Sequence, residues 1–118
     1  MNPRITDMTY LNSISDGDED FKMDMINTFL ETAPGYLAGM RSGLDAMNWK
    51  KIGDIAHSMK PSFTMLGIHE KKDLILQIEN LGRSETNTGK LPELISELET
   101  VITQASEELR KIIDGIKQ

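Results

Sequence analysis

His57 and Lys60, three residues apart, are the pair in this chain best suited to chemistry. A neutral imidazole is a nucleophile near pH 7, because its ordinary pKa lies close to neutrality. An ammonium group one helical turn away can screen the negative charge that a phosphoryl group would bring to the ring. Attack needs an accessible ring nitrogen, and the surrounding pattern provides one. Trp49, Ile52, Ile55, Ala56, Met59, Phe63 and Leu66 share one helical stripe. At about 100° per residue, His57 falls roughly 150° from the centre of that stripe. Lys50, Gly53, Asp54, Pro61 and Thr64 are its neighbours on the outer face, with Lys60 at the flank. Spacing alone establishes an exposed, chemically competent ring and nothing more, since a surface histidine beside a lysine is usually inert.

Other chemistries are excluded more firmly. The chain has no cysteine, so it has no disulfide, zinc–thiolate site or thiol nucleophile. No Gly-rich phosphate loop, nucleophile elbow or acid–base pair is present, so an enzyme is not expected. His69 lies near a helix start without a carboxylate cluster around it and reads as a surface residue; no metal site and no intrinsic cofactor are expected. A net charge of -6 disfavours a nucleic-acid partner. The apolar runs are too short to span a membrane, and the Met1, Asn2, Pro3, Arg4 start lacks the apolar stretch of a signal peptide. A cytoplasmic monomer is therefore the expectation. A length of 118 residues suits one domain over residues 1–118, and the initial Met1 favours a free-standing protein.

The elements that must position His57 read as helices nearly throughout. Residues 5–14 form a short apolar segment of one or two turns. Ser15, Asp16, Gly17 and Asp18 read as a turn and a helix start. A helix is predicted over 18–32, with Phe21, Met25, Ile26 and Phe29 on one face. Ala33 and Pro34 are expected to break it, with Pro34 opening a second helix to about 47 along a Leu37, Met40, Leu44, Met47 seam. Asn48 is the predicted cap of the His57 helix, which ends near Gly67. A further helix is predicted over 69–81 with Gly82 as its C-cap, then a polar loop over 84–90. A last helix over 91–116 has Pro92 in its first turn. Amphipathic helices joined by short loops can bury their stripes only against each other. The expected fold is thus all-α: an antiparallel four-helix bundle over about 18–117, with one or two additional N-terminal helices.

The run Ala56, His57, Ser58, Met59, Lys60, Pro61, Ser62, followed by Leu66 and Gly67, resembles the signature of the histidine-containing phosphotransfer (HPt) family of two-component relays. That signature is Ala-His, any residue, an aliphatic, then Lys-Gly-Ser, closing on an aliphatic-Gly pair. The resemblance extends over nearly the whole chain: the run from Phe29 to Pro34, the Asn48-Trp49 pair and the run from Ile78 to Gly82 look like the family's flanking segments. It implies an HPt-like bundle with His57 exposed as phosphoacceptor. Lys60 would stabilise the phosphoryl charge, with Pro61, Ser62, Gly67 and Glu79 in support. It further implies receiver domains of response regulators, or a hybrid histidine kinase, as partners. The receiver would bring the Mg2+ ion and the catalytic groups, and N-terminal apolar residues would form a docking surface, here Leu11, Ile14 and Met25.

The sequence departs from the signature at two places. Pro61 stands where the family has Gly. It removes the backbone donor to the carbonyl of His57 and crowds it, which predicts a bend over 57–61. Phe63 replaces a usually small residue and, being on the inward stripe, is assigned to the core. Glu79 could orient the ring or pair with Lys60, and Asp54 is a second possible acceptor for the ring. Two readings of function follow. One is a relay intermediate that takes a phosphoryl group from a receiver aspartate onto His57 and passes it on. The other is an HPt-like module that docks a receiver or kinase without being phosphorylated.

Overall fold

Polar caps fix where the bundle helices begin. The Asp18 side chain accepts the backbone N–H of Phe21 at 3.0 Å, and Glu19 and Asp20 place negative charge in the first turn of α2, Glu19–Asp45. Asn48 accepts the N–H of Lys51 at 3.3 Å and opens α3, Trp49–Met65. In front of them is α1, Thr9–Ser15, closed by Asp16 and Gly17 at positive φ. After them come α4, Lys72–Ser84, a 3-10 turn at Thr88–Lys90, and α5, Leu91–Lys117. This computed structural model describes residues 4–117. Residues 1–3 and 118, which the single-domain expectation includes, lie outside the described residues. No strand occurs among those described, and none of the helices is long and apolar enough to cross a membrane.

The architecture is the predicted all-α bundle of four main helices with one short helix ahead of it. α3 packs on α2 and α4, and α5 closes the ring against both. Ile26, Phe29, Ala33 and Met40 from α2 share one buried core with Ile52, Ala56, Met59 and Phe63 from α3, and α5 adds its long stripe from Leu91 to Ile113. Phe63 is fully buried, as its position on the stripe predicted.

Several boundaries differ from expectation. Pro34 does not break its helix; α2 runs through it for 27 residues. Proline costs a helix interior about 3 kcal/mol, but buried Phe29, Ala33 and Met40 lie on both sides of it and Pro34 itself is exposed. The continuous buried face holds the backbone helical past a residue that disfavours it. Phe21 is 38% exposed and not core, and Met47, placed in the seam, is 69% exposed at φ 54° beyond the helix end. α4 starts at Lys72, not His69, and runs past Gly82 to Ser84, with Glu85 at φ 56° as the cap.

Gly82 has another use. A Cβ there would lie 2.6 Å from the Gly53 nitrogen and 2.7 Å from the Trp49 carbonyl oxygen. One on Gly53 would lie 2.8 Å from the Arg83 backbone nitrogen and 3.0 Å from the Glu79 backbone carbonyl oxygen. The two glycines bring the backbones of α3 and α4 into contact. Gly53 is therefore buried against α4, not part of the outer face where the helical wheel put it. Each glycine costs a helix roughly 1 kcal/mol relative to alanine; the close approach they allow decides which α4 side chains can reach His57.

The N-terminal segment is tied down by one carboxylate. Glu108 on α5 accepts the backbone N–H groups of Ile5 and Thr6, each at 2.9 Å, and the Thr6 hydroxyl at 2.6 Å. Burial works to raise the Glu108 pKa, but the hydrogen bonds from Thr6, from the Ile5 and Thr6 backbones and from Gln104 hold it below the ordinary carboxylate value. At the other end of the strap, Asp7 N–H donates to the Leu66 carbonyl at 2.9 Å.

Candidate functional site

His57 sits on the solvent side of α3, 54% exposed in its side chain. Its Nδ1 lies 2.6 Å from Oε2 of Glu79, which α4 delivers across the Gly53–Gly82 contact. Glu79 is nearly buried, 7% exposed in its side chain. A buried carboxylate is costly unless charge and hydrogen bonds compensate it, and here they do. Lys60 Nζ donates to Oε1 at 2.9 Å, and Arg83 Nη1 forms an ion pair with Oε2 at 3.2 Å. The Lys60 hydrogen bond is the main reason that the Glu79 carboxyl is held below its ordinary pKa; burial opposes it, and the His57 hydrogen bond adds to it.

The protonation of the ring follows. An ionised carboxylate only accepts hydrogen bonds, so the 2.6 Å contact requires the proton on Nδ1. In the neutral ring the lone pair then lies on Nε2, for which no hydrogen-bond partner occurs among the described residues. The arrangement presents a nucleophile of fixed tautomer to solvent. It also places an anion behind the ring, where positive charge develops once Nε2 forms a fourth bond.

Lys60 is half-buried and bonded to Glu79, but an ammonium has three donors and can keep that bond while offering another. A groove of about 500 Å³ runs beside the ring, lined by His57, Lys60, Pro61, Phe63, Thr64, Lys72, Asp73, Ile75 and Leu76. Pro61 is exposed on this wall, and α3 continues unbroken through it to Met65. Ser62 is half-buried; its carbonyl receives the N–H of Leu66 at 2.9 Å at the helix end. Among the described residues no group of three or more His, Cys, Asp or Glu side chains is arranged to hold a metal ion.

Other expected residues lie elsewhere. Gly67 is in the turn after α3 at φ 67°, where a Cβ would lie 2.3 Å from the Asp7 carbonyl oxygen; its role is to end the helix and admit the N-terminal strap. Leu11 is fully buried, so it cannot form a docking surface. α1 lies on α2 and α3 with Leu11 inward, while Ile14 is 41% exposed and Met25 half-buried. Asp54 does not bond the ring: it accepts from Arg83 Nε at 3.1 Å. Arg83 was not singled out from the sequence. Its signal was present, since Glu79 and Arg83 are four apart on one helix, the spacing of a side-chain ion pair.

Residues 24–117 match the family described as Hpt domain. That span contains His57, Lys60, Glu79 and Arg83 and omits α1 and the strap. The chain is also similar to "Multistep phosphorelay regulator 1" of Schizosaccharomyces pombe (strain 972 / ATCC 24843), 28% identical over 79 residues. The aligned part is 65% of this chain and 27% of that protein, so the chain spans only about a quarter of this relative's length. No solved structure matches the chain.

Proposed function

The chain belongs to the Hpt domain family, and from that premise we propose that it is a phosphorelay intermediate that takes a phosphoryl group from a receiver-domain aspartate onto His57 and passes it to another receiver. The observation that carries this reading is the ring itself: Nδ1 held at 2.6 Å by a nearly buried carboxylate, on a side chain that is 54% exposed. The relative's name, a phosphorelay regulator, points the same way.

In the forward step the Nε2 lone pair attacks the phosphorus of the aspartyl phosphate. The bond from phosphorus to the aspartate oxygen breaks, and the aspartate leaves as a carboxylate. The ring keeps its Nδ1 proton and becomes a cation, which Glu79 stabilises at the distance it already holds. Lys60, on the groove beside the ring, screens the new phosphoryl charge. The return step reverses these events onto a second receiver. A Mg2+ ion on the receiver would neutralise charge on the phosphoryl oxygens during transfer. The work of this chain is to orient the nucleophile and compensate its charge, which are the main demands of phosphoryl transfer. Its partners in this reading are response-regulator receivers or a hybrid histidine kinase, met as a monomer, with Ile14 and Met25 offering the apolar contact.

The test is incubation of the purified protein with a phosphorylated receiver and magnesium. Acid-labile, base-stable phosphate should appear on the wild type and be absent from His57→Gln. Label that persists on the variant would move the acceptor to another residue and refute the assignment.

A further inference from the structure

Glu79 is held from three directions, and Arg83 is the partner whose placement involves the most of the surrounding structure. Its backbone nitrogen and Cγ lie where a Cβ on Gly53 would be, each 2.8 Å from that position. The stem of Arg83 therefore crosses α3 through a slot that only glycine leaves open. From there the guanidinium reaches two carboxylates on two helices. Nε donates to Asp54 Oδ1 on α3 at 3.1 Å, and Nη1 pairs with Glu79 Oε2 on α4 at 3.2 Å. The oxygen it pairs with is the one that accepts from His57 Nδ1. Asp54 and His57 are three residues apart on α3, so Arg83 ties the carboxylate behind the ring to the helix that carries the ring. A planar fork suits this double engagement, and an ammonium cannot reproduce it.

We propose that Arg83 is a positioning residue for transfer at His57: by bridging Asp54 and Glu79 it fixes the carboxylate that holds the Nδ1 proton, and so keeps Nε2 turned towards the receiver. The proposal rests on the reading of His57 as the acceptor. Arg83 touches neither the ring nitrogen that reacts nor the groove, and it acts through Glu79 alone. Lys60 cannot substitute for it, because Lys60 engages the other oxygen, Oε1.

The test uses the full chain with Arg83→Met, which keeps the stem, Arg83→Lys, and Asp54→Asn, which releases the far end of the bridge at an exposed residue. Two readouts are taken: the ring nitrogen shifts of His57 by NMR, and the transfer rate from a phosphorylated receiver as its concentration is varied. Arg83→Met is expected to give shifts of mixed tautomers. It should lower the maximal rate about fivefold, as expected of a partly exposed pair, with little change in half-saturation. Asp54→Asn should reproduce part of this, and Arg83→Lys should recover part of it. In a Glu79→Gln background, Arg83→Met should add no further loss. Wild-type ring shifts and wild-type rates in Arg83→Met would overturn the proposal, as would a further loss in the Glu79→Gln background. If the wild type takes no label at all, the acceptor reading fails. The ring shifts then decide the positioning separately: a tautomer mixture in Arg83→Met upholds it, and unchanged shifts overturn it.

Discussion

Glu79 and Glu108 are the same residue type on two helices of one bundle, and they do opposite work. Glu79 is surrounded by groups that carry or can carry positive charge: Lys60, Arg83 and the His57 ring. Glu108 is surrounded by neutral donors: two backbone N–H groups, the Thr6 hydroxyl and the Gln104 amide. Both are held below the ordinary carboxylate pKa. In the proposed transfer the anion of Glu79 compensates the charge that forms on the ring. The anion of Glu108 satisfies permanent donors and fixes the strap over the end of the bundle. The charge of its partners is what distinguishes Glu79, at the proposed site, from Glu108.

Matched substitutions should separate the two most widely. Glu79→Ala removes the support behind the ring and should lower the transfer rate by about 10- to 100-fold, the loss typical of a residue that orients a reacting ligand. Its effect on stability should be small, because Lys60 and Arg83 can turn to solvent. Glu108→Ala should do the reverse. It leaves the N–H and hydroxyl of Thr6, a buried residue, without their acceptor. It should cost about 1–3 kcal/mol of stability with an unchanged transfer rate per folded molecule. Thermal or denaturant unfolding and labelling kinetics on both variants check this. A slow but stable Glu108→Ala would abolish the distinction.

The sequence made one side of this comparison legible and hid the other. The apolar stripe of α3 placed His57 outward, Phe63 inward and Asn48 at the cap, because those depend only on the periodicity of one helix. The spacing of His57 and Lys60 likewise lies within a single element. Glu79 could be offered as a partner only through the resemblance, and Arg83 was missed, because their meeting with α3 depends on the inter-helix register that Gly53 and Gly82 permit. Both glycines were misread by local rules, one as a surface neighbour and one as a C-cap. Pro34 was misread in the same way: its local cost argued for a break, and the buried face running past it prevailed. The resemblance puts Leu11 on a docking surface, yet it is fully buried: a seven-residue helix does not show by its own pattern which face its neighbours cover.

Acid and salt sharpen the comparison with a smaller effect. Both carboxyls have folded pKa values below the reference of 4.5. Their stabilisation is therefore fully present above about 4.5 and is lost as pH falls from there through the lowered folded values. Unfolding curves from pH 7 down to about pH 2 should show this acid limb, and Glu79→Gln or Glu108→Gln should each flatten it. Added salt should weaken the Glu79 part, which depends on ion pairs reaching the surface, and leave the Glu108 part, which depends on neutral donors. Equal salt sensitivity in the two variants would mean that charge of the partners is not what divides them.

The smallest expected effect tests whether the ring is held by its own helix or from across it. Pro61 removes the donor that would bond the His57 carbonyl, yet α3 runs on through it and His57 still meets Glu79 at 2.6 Å. If α4 positions the ring, restoring the donor should matter little. Pro61→Ala is expected to be more stable, since it relieves a helix-interior proline, and to change the transfer rate by less than about threefold, because a ring held by a carboxylate from the neighbouring helix tolerates small shifts of its own backbone. Labelling kinetics beside an unfolding curve measure both. A loss of tenfold or more in a well-folded Pro61→Ala would show that the backbone at Pro61, and not the carboxylate behind the ring, sets the direction of Nε2.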